Sequence, residues 1–174
     1  MKLKKTILPV VILGALLIAG CAKQDEFMDW KRINDEWFDA NKSRTESFPF
    51  EWSVDILKTP FINAEFETTE SGVKYKPLRL GNPTDKKVNP TSRIVVTYEG
   101  KLIDGTSFDK GTEKDLGAVG GSVTGFRDVL LKMHIGDIYE FYIPQEQGYG
   151  DQQNGKIPPY SALTFRVELV DAIN

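Results

Sequence analysis

The chain has 174 residues, of which 40% are hydrophobic and 27% are charged, and its formal net charge is −3. This length and composition fit one globular domain with additional segments, or two small domains. Because the charge balance is mildly acidic and no basic stripe is visible, nucleic acid is not expected as a partner.

Residues 1–20 have the organisation of a secretory signal peptide. The positive stretch MKLKK precedes the apolar stretch ILPVVILGALLIAG, which is short for a membrane span. The segment leads through Ala19 and Gly20 into Cys21, and this ending resembles the bacterial lipobox, where the signal is cleaved before a cysteine that becomes lipidated. We predict a lipoprotein anchored through Cys21. An ordinary signal peptide or an uncleaved anchor helix is the alternative.

Cys21 is the only cysteine, which excludes an internal disulfide. Several acyl chains form a stable anchor where a single chain is marginal. The residue after the cysteine is Ala22, and resemblance to bacterial lipoproteins without aspartate at this position predicts the outer membrane. The expected location is therefore the cell envelope, on either the periplasmic or the surface face.

Residues 25–42 are predicted to form an amphipathic helix. Apolar side chains recur at spacings of three and four, at Phe27, Trp30, Ile33, Trp37 and Phe38. The polar face carries both signs of charge, which argues against a basic helix lying on a membrane. We expect the helix to pack on its own domain, and a homodimer formed through residues 25–42 is the alternative.

Residues 43–68 form an extension that is interrupted by Pro49 and Pro60 and is rich in aromatic residues. Because it is too apolar for a flexible linker, we predict that it docks on the domain, with a short strand at residues 52–57. Its sequence indicates no function.

Residues 69–174 are predicted to form a domain of antiparallel strands. Alternation directs one set of side chains inward: Val73, Tyr75, Ile94, Val96, Tyr98, Tyr139, Phe141, Ile143, Leu163, Phe165, Val167 and Leu169. Residues 110–121 are polar and glycine-rich, and we interpret them as a loop.

One short helix is predicted at residues 125–134, with Thr124 as its N-cap and Gly136 as its C-terminal stop. Its apolar stripe consists of Phe126, Val129, Leu130 and Met133. A sheet with one wet face needs a cover for its apolar face, and this helix is the available cover. The predicted fold class is therefore α+β: a bent antiparallel sheet wrapped around one short helix, preceded by the N-terminal helix.

The stretch YEGKLIDGTSFD, residues 98–109, has the features of a β-hairpin. Asp104 and Gly105 form a turn signal between short apolar runs. The hairpin brings Tyr98, Phe108 and Asp109 toward one another and predicts one wall of an apolar pocket.

Several kinds of chemistry lack candidates in the sequence. The single histidine, His134, has no Cys or His partner at ligand spacing, so no metal site is predicted, and a stabilising interaction with the end of the helix is its expected role. With the only cysteine in the signal and no GxSxG motif, nucleophilic catalysis has no candidate.

Five stretches, spread over residues 69–171, resemble the FKBP-type peptidyl-prolyl cis-trans isomerases. They are SGVKY, VVTYEGKLIDGTSFD, VTGF leading into DVLLKMHIGD, the IP and GYG of residues 143–150, and IPPYSALTFRVELV. Their order and spacing match the family throughout. The resemblance implies the same bent sheet and short helix, isomerisation of X-Pro bonds in proline-containing polypeptides, and no cofactor.

The resemblance also implies roles for individual residues. Those with catalytic roles would be Tyr98, Phe108, Asp109, Tyr149 and Phe165, and those that bind substrate would be Val123, Phe126 and Ile157. Phe126 would form the floor of the pocket. The Val123 N–H and the Tyr149 hydroxyl would hold substrate carbonyls, and Asp109 would order the site together with Tyr98.

The chain departs from the family near residue 112, where an aromatic residue often lines the pocket and KGTEKDLG contains none. We predict an isomerase domain at residues 69–174, behind the signal and a lipidated N-terminal part at residues 21–68. It would assist the folding of exported proteins. The alternatives are an FKBP-like chaperone or binding module with little activity, and an accessory lipoprotein of an envelope complex.

Overall fold

The computed structural model describes residues 11–47, 49–58, 62 and 64–174, with the side chains of the first helix described from Glu26 onward. In these residues the helices are α1 (Val11–Ala40) and α2 (Thr124–Leu130). The strands are β1 (Glu67–Thr68), β2 (Lys74–Arg79), β3 (Arg93–Lys101), β4 (Ser107–Ala118), β5 (Ile138–Ile143) and β6 (Leu163–Ile173). They form one antiparallel sheet in the order β1-β2-β5-β6-β3-β4. The predicted fold class is confirmed.

The core lies between the sheet and α2. The inward side chains of β3, β5 and β6 belong to one buried cluster, as their alternation predicted. From α2, Phe126, Val129 and Leu130 complete this cluster. Burial of large apolar side chains is worth about 1.5–3 kcal/mol each, so this layer supplies much of the driving force for folding.

Helix α2 is shorter than predicted. It ends at Leu130, because the Lys132 N–H donates to the Val129 carbonyl at 2.9 Å and the Met133 N–H donates to the Leu130 carbonyl at 3.0 Å. These i to i−3 bonds tighten the chain and still leave Met133 fully buried. Gly136, with φ of +87°, therefore lies in the turn before β5 and is not the C-terminal stop of α2.

Two predictions about the ends of α2 are also wrong. Val123 occupies the N-cap position without a side-chain hydrogen bond, and Thr124 is the first helical residue. His134 lies beyond the helix, where its backbone N–H donates to Asp137 Oδ2 at 2.8 Å. His134 therefore lies in a turn and is not placed to interact with the C-terminal end of α2.

Residues 110–121 are not a loop, because β4 continues through most of them to Ala118. The pairing of β4 with β3 shifts register at three places along the ladder. Each irregularity changes which face a side chain occupies, so the sequence shows no alternation. The strand is polar because it lies at the edge of the sheet, where most of its residues are exposed or half-buried.

The second face of the sheet is not wet, contrary to the prediction. It carries charged side chains that are buried beneath the segment before β1: Lys74, Lys76, Glu99, Lys101, Glu140 and Arg166. Arg166 Nε donates to Glu140 Oε2 at 2.6 Å, and Arg166 Nη1 donates to the Leu57 carbonyl at 2.8 Å. Burial of these charges is tolerated because Lys101–Glu99 and Arg166–Glu140 are ion pairs, while Lys74 and Lys76 donate to backbone carbonyls.

The extension docks on this charged face, but it forms no strand at residues 52–57. Trp52 is buried, with the Arg166 guanidinium 4.8 Å and the Lys101 ammonium 5.6 Å from the centre of a Trp52 ring. The Ser53 N–H donates to Glu99 Oε2 at 2.6 Å, and the chain then turns into the 3₁₀ helix Asp55–Lys58. The Ser53 N–H and the Leu57 carbonyl are thus hydrogen-bonded to side chains of the sheet, and they are not available to pair with a neighbouring strand.

Glu99 shows how the charged face is stabilised. Burial disfavours its charged form, but the Ser53 backbone N–H, the Lys101 ammonium and the Ser53 hydroxyl together hold the pKa of the Glu99 carboxyl below its usual value. The Glu99 carboxylate therefore stabilises the fold above its unfolded-state pKa, and that contribution is lost as the pH falls through the folded-state pKa.

Helix α1 contacts the domain through its inner face. Trp30 Nε1 donates to Ser161 Oγ at 2.9 Å, and buried Asn34 accepts from the Ala162 N–H at 2.9 Å. Lys74 Nζ donates to the Asn41 carbonyl at 3.0 Å, beside the end of α1, where a cation is favourable. No helix in the described part of the chain is both long enough and apolar enough to cross a membrane.

Helix α1 begins earlier than the predicted residue 25. Residues 1–10, Pro60 and the side chains of residues 17–21, which include the predicted lipidation site, lie outside what the structure describes.

Leu57 provides a test of the docked extension. It is completely buried against Leu78 and Ile138, so Leu57→Ala is expected to lower the free energy of unfolding by about 2–5 kcal/mol. Leu80 is 60% exposed, and Leu80→Ala is expected to change that free energy by no more than about 0.5 kcal/mol. Urea denaturation measures both variants. Equal, small losses would show that the extension is not part of the cooperative fold.

Candidate functional site

The β3–β4 hairpin forms as predicted. The Gly105 N–H donates to the Leu102 carbonyl at 3.0 Å, the Leu102 N–H donates to the Thr106 carbonyl at 2.9 Å, and Gly105 has φ of +85°. Asp104 Oδ1 accepts from the Thr106 N–H at 2.8 Å, which tightens the turn further. The turn places the arm that carries Phe108 and Asp109 beside Tyr98.

An aromatic cluster lies at the base of the site. The Phe165 ring centre is 5.0 Å from that of Phe126 and 5.4 Å from those of Phe108 and Phe141. The Phe126 and Phe108 rings meet Phe165 edge to face, and Phe141 stacks on it. Such contacts fix ring orientations more tightly than apolar burial alone. Phe141 was predicted only as a core residue, but it supports both Phe126 and Phe165 from below.

Gly100 allows two of these rings to approach the sheet. A Cβ at this position would lie 2.5 Å from Cζ of Phe108 and 2.7 Å from Cε1 of Phe165. No side chain fits there, so the rings of Phe108 and Phe165 lie directly over the backbone of β3. The sequence analysis did not identify this requirement, because it arises from contacts between strands that are distant in sequence.

The polar groups of the site centre on Asp109. The Tyr98 hydroxyl donates to Asp109 Oδ2 at 2.5 Å, and the Lys110 N–H donates to Asp109 Oδ1 at 2.9 Å. Burial, followed by the hydrogen bond to Asp109, raises the pKa of the Tyr98 hydroxyl well above its usual value. Burial and the Asp109 charge also raise the pKa of the Tyr149 hydroxyl. Both phenols therefore remain protonated hydrogen-bond donors at neutral pH.

These groups enclose a cavity of about 380 Å³. The predicted residues that line it are Tyr98, Phe108, Asp109, Val123, Phe126, Tyr149 and Phe165. Ile157 lines an adjoining cavity of about 270 Å³, which shares Phe108, Asp109 and Tyr149 with the first. The structure thus brings together every residue that the resemblance placed in the site, with Ile157 at its margin.

Val123 and Tyr149 were predicted to donate to substrate carbonyls. In the described part of the chain, neither the Val123 N–H nor the Tyr149 hydroxyl donates to a protein acceptor. Val123 precedes the first turn of α2, and Tyr149 lies on the loop after β5. Both donors are therefore available to a ligand in the cavity.

Further residues line the cavity without having been predicted: Leu116, Gly121, Ser122, Asn154 and Leu163. Leu116 is the only apolar residue of KGTEKDLG, and it packs against the core from β4. Only the irregular β3–β4 pairing shows that Leu116 faces inward.

A larger cavity, about 580 Å³, lies between α1 and the loops near β2 and β5. Its walls include Asp35, Asp39, Lys42 and Glu146, and contain none of the residues assigned to the site. A ligand site is more often apolar, with a few convergent polar groups, so the smaller aromatic cavity is the better candidate. Among the described residues, no group of three or more His, Cys, Asp and Glu side chains is placed to bind a metal ion.

Comparisons with known proteins identify the family of this chain. Residues 84–170 match the model of the family described as FKBP-type peptidyl-prolyl cis-trans isomerase. The chain belongs to this family. It is 38% identical over 110 residues to the FKBP-type 22 kDa peptidyl-prolyl cis-trans isomerase of Escherichia coli, covering 61% of this chain. It is 33% identical over 144 residues to the peptidyl-prolyl cis-trans isomerase FKBP15-1 of Arabidopsis thaliana, covering 78% of this chain and 90% of the relative.

Some of these relatives are longer proteins. The chain spans 52% of the E. coli protein and 46% of the peptidyl-prolyl cis-trans isomerase Mip of Coxiella burnetii, so it corresponds to about half of each. Among solved structures, FkpA from E. coli aligns with a TM-score of 0.69 at 24% identity, covering 97% of this chain and 75% of that chain. At this identity the similarity concerns the fold.

Gly100→Ala is expected to reduce activity through the pocket geometry, because the added methyl group must displace the Phe108 and Phe165 rings. A misplacement near 1 Å costs up to about 100-fold in rate, so we expect a loss of kcat/KM in the range of ten- to about 100-fold. Exchange NMR on a proline peptide measures kcat/KM for the wild-type chain and the variant. Retained activity with unchanged ring-proton shifts would contradict the assigned role of Gly100.

Proposed function

We propose that this chain catalyses cis-trans isomerisation of the peptide bond before proline in polypeptide clients, through its domain at residues 69–174. The observation that carries the proposal is the aromatic cavity, which holds Tyr98, Phe108, Phe126 and Phe165 around a volume of about 380 Å³ in a member of the FKBP family. A proline ring is apolar and compact enough for such a cavity, and the amide before it has no N–H donor that would have to be desolvated.

The proposed mechanism needs no reactive group. Rotation about an X-Pro bond faces a barrier of about 18–20 kcal/mol, which arises chiefly from amide resonance. Resonance places negative charge on the carbonyl oxygen, and water stabilises that charge. A dry aromatic site removes this stabilisation and favours the twisted, less polar amide of the transition state.

Each predicted residue has a place in this mechanism. Phe126 would support the proline ring from below, and the walls would come from Tyr98, Phe108 and Phe165. The Val123 N–H and the Tyr149 hydroxyl would hold substrate carbonyls that do not twist. The Tyr98–Asp109 hydrogen bond would keep the hydroxyl of Tyr98 fixed at the wall.

A client-binding module with little isomerase activity is the second candidate. One observation favours it: beyond Phe108, β4 contributes no further aromatic residue to the wall of the cavity, only the flexible aliphatic side chain of Leu116. A less rigid wall would bind an apolar segment without holding the amide in its twisted form.

The two candidates make different predictions for a purified protein comprising residues 22–174. If the chain is an isomerase, it will accelerate the exchange of a proline peptide. Tyr98→Ala and Phe126→Ala will each lower kcat/KM by at least about tenfold, equivalent to 1.4 kcal/mol of transition-state stabilisation. Exchange NMR measures the rates, because it needs no coupled protease.

Phe38→Ala serves as a matched control, because Phe38 lines the larger cavity near α1 and should leave kcat/KM unchanged. Thermal unfolding of each variant shows whether its fold is retained. No acceleration by the wild-type chain would favour the binding module. Activity that survives both pocket substitutions would refute the assignment of the site.

We further propose that the protein is a lipoprotein of the cell envelope, anchored in the outer membrane through acyl groups on Cys21. Support comes from the positive start, the apolar stretch and the small residues before the single cysteine. Such an anchor would keep the isomerase close to exported clients while they fold.

Labelling tests the anchor. Cells that express the full chain and are fed labelled palmitate are expected to incorporate the label into the wild-type protein and not into Cys21→Ala. Fractionation should recover the wild-type protein with the outer membrane and the variant elsewhere. A variant that still reached the membrane intact, beside an unlabelled wild-type protein, would rule out the lipoprotein form.

The oligomeric state is a separate proposal. The inner face of α1 contacts its own domain, which supports a monomer, while Met28 is exposed on α1 and would be accessible to a second copy. Light scattering after size exclusion distinguishes these states. A dimer that dissociates in Met28→Lys would establish the homodimer through residues 25–42.

A further inference from the structure

Lys114 contacts the hydrogen-bonded pair Tyr98 and Asp109 from outside the pocket. Its Nζ lies 3.2 Å from the Tyr98 hydroxyl oxygen, 4.0 Å from Asp109 Oδ2 and 5.7 Å from the centre of the Tyr98 ring. The Tyr98 hydroxyl therefore donates to Asp109 and accepts from Lys114. Lys114 lies in the polar, exposed part of β4. Its neighbours in the sequence do not predict this contact.

The backbone opposite Tyr98 makes room for the lysine stem. Gly111 pairs with Tyr98 across the β3–β4 ladder. A Cβ on Gly111 would lie 2.9 Å from Cδ of Lys114 and 3.1 Å from Cε1 of Tyr98. Because a side chain at residue 111 would occupy this space, the glycine allows Lys114 to fold back over the tyrosine ring. The contact is thus supported by the strand pairing.

Lys114 faces the carboxylate of Asp109, which lines the pocket. Among the described residues that line the pocket, Asp109 is the only one with a charged side chain. That side chain is 52% exposed, so the carboxylate faces the mouth and acts on whatever flanks a bound proline. Alone, it would attract cationic residues and repel acidic ones.

Lys114 opposes this field. Its side chain is 49% exposed, so both charges of the pair meet the same solvent at the rim. Lys156 lines the adjoining cavity, but no ion pair joins it to Asp109 in the described part of the chain. Because the side chains of Lys114 and Asp109 are both half-exposed, water and salt weaken the attraction between them, and the pair matters chiefly for the field that an approaching client meets. In the described part of the chain, Lys114 is therefore the cation that the structure pairs with Asp109 at the rim.

We propose that Lys114 is a specificity-determining residue, which neutralises Asp109 at the mouth of the pocket and so admits clients with acidic residues beside proline. This inference rests on the proposed isomerase function. It assigns a substrate class to the site: X-Pro segments that include anionic flanking residues, which an unscreened Asp109 would disfavour.

Three peptides test the proposal, with proline flanked on both sides by glutamate, glutamine or lysine. The quantity of interest is the ratio of kcat/KM for the lysine peptide to that for the glutamate peptide, measured by exchange NMR. Lys114→Met is expected to raise this ratio at least about fivefold at low salt. The increase should largely disappear near 1 M salt, where the screening length is about 3 Å.

Two control variants separate charge from structure. Lys114→Arg keeps the charge and should retain the wild-type ratio. Lys132 lies 5.2 Å from the Tyr75 ring, away from the pocket, so Lys132→Met loses the same charge and a similar aromatic contact without changing the ratio.

The outcomes are distinguishable. If the wild-type chain does not accelerate the glutamine peptide, the proposed function fails. If it does, and Lys114→Met lowers all three rates equally or leaves the ratio unchanged, Lys114 has only a structural role and the inference is overturned. A ratio that shifts equally in Lys132→Met would also overturn it, because total charge would then be the cause.

Discussion

Tyr98 and Glu99 are neighbours on β3, and their side chains leave the sheet on opposite faces, as those of successive strand residues must. Tyr98 points into the aromatic pocket, and Glu99 points into the layer that the N-terminal extension covers. The same alternation separates Phe165 from Arg166 on β6. The pocket and the charged layer are thus the two sides of the same strands, and the extension is fixed directly behind the site.

The charged layer restrains the strands that carry the pocket. The Arg166 guanidinium joins Glu140, the Leu57 carbonyl and the Trp52 ring, so three parts of the chain meet at one side chain. Directional contacts of this kind restrain the strands more narrowly than apolar packing alone. The proposed mechanism, which acts by shape and by exclusion of water, depends on such restraint, since small displacements of the walls alter the transition-state fit.

The sequence predicted the parts of the fold and site that depend on local patterns. Alternation identified the inward residues of β3, β5 and β6, and the Asp104–Gly105 signal identified the hairpin. The resemblance assigned the pocket residues that the structure brings together. The failures of prediction in the sheet have non-local causes. The irregular pairing of β4 prevented prediction of the positions of Leu116 and Lys114. The charged residues of the second face were interpreted as solvent-exposed, because their hydrogen-bond partners are far away in sequence.

The placement of the extension also has a consequence for the order of folding. Trp30 bonds Ser161, which is 131 residues away, and the Leu57 carbonyl bonds Arg166 across 109 residues. The extension is synthesised early, yet its docking surface is complete only after β6, the last strand, has joined the sheet. Closing loops of this length is entropically costly and slow. Docking of the extension is therefore a late folding event, and until it occurs Trp52 and Leu57 stay exposed to solvent and to neighbouring unfolded chains.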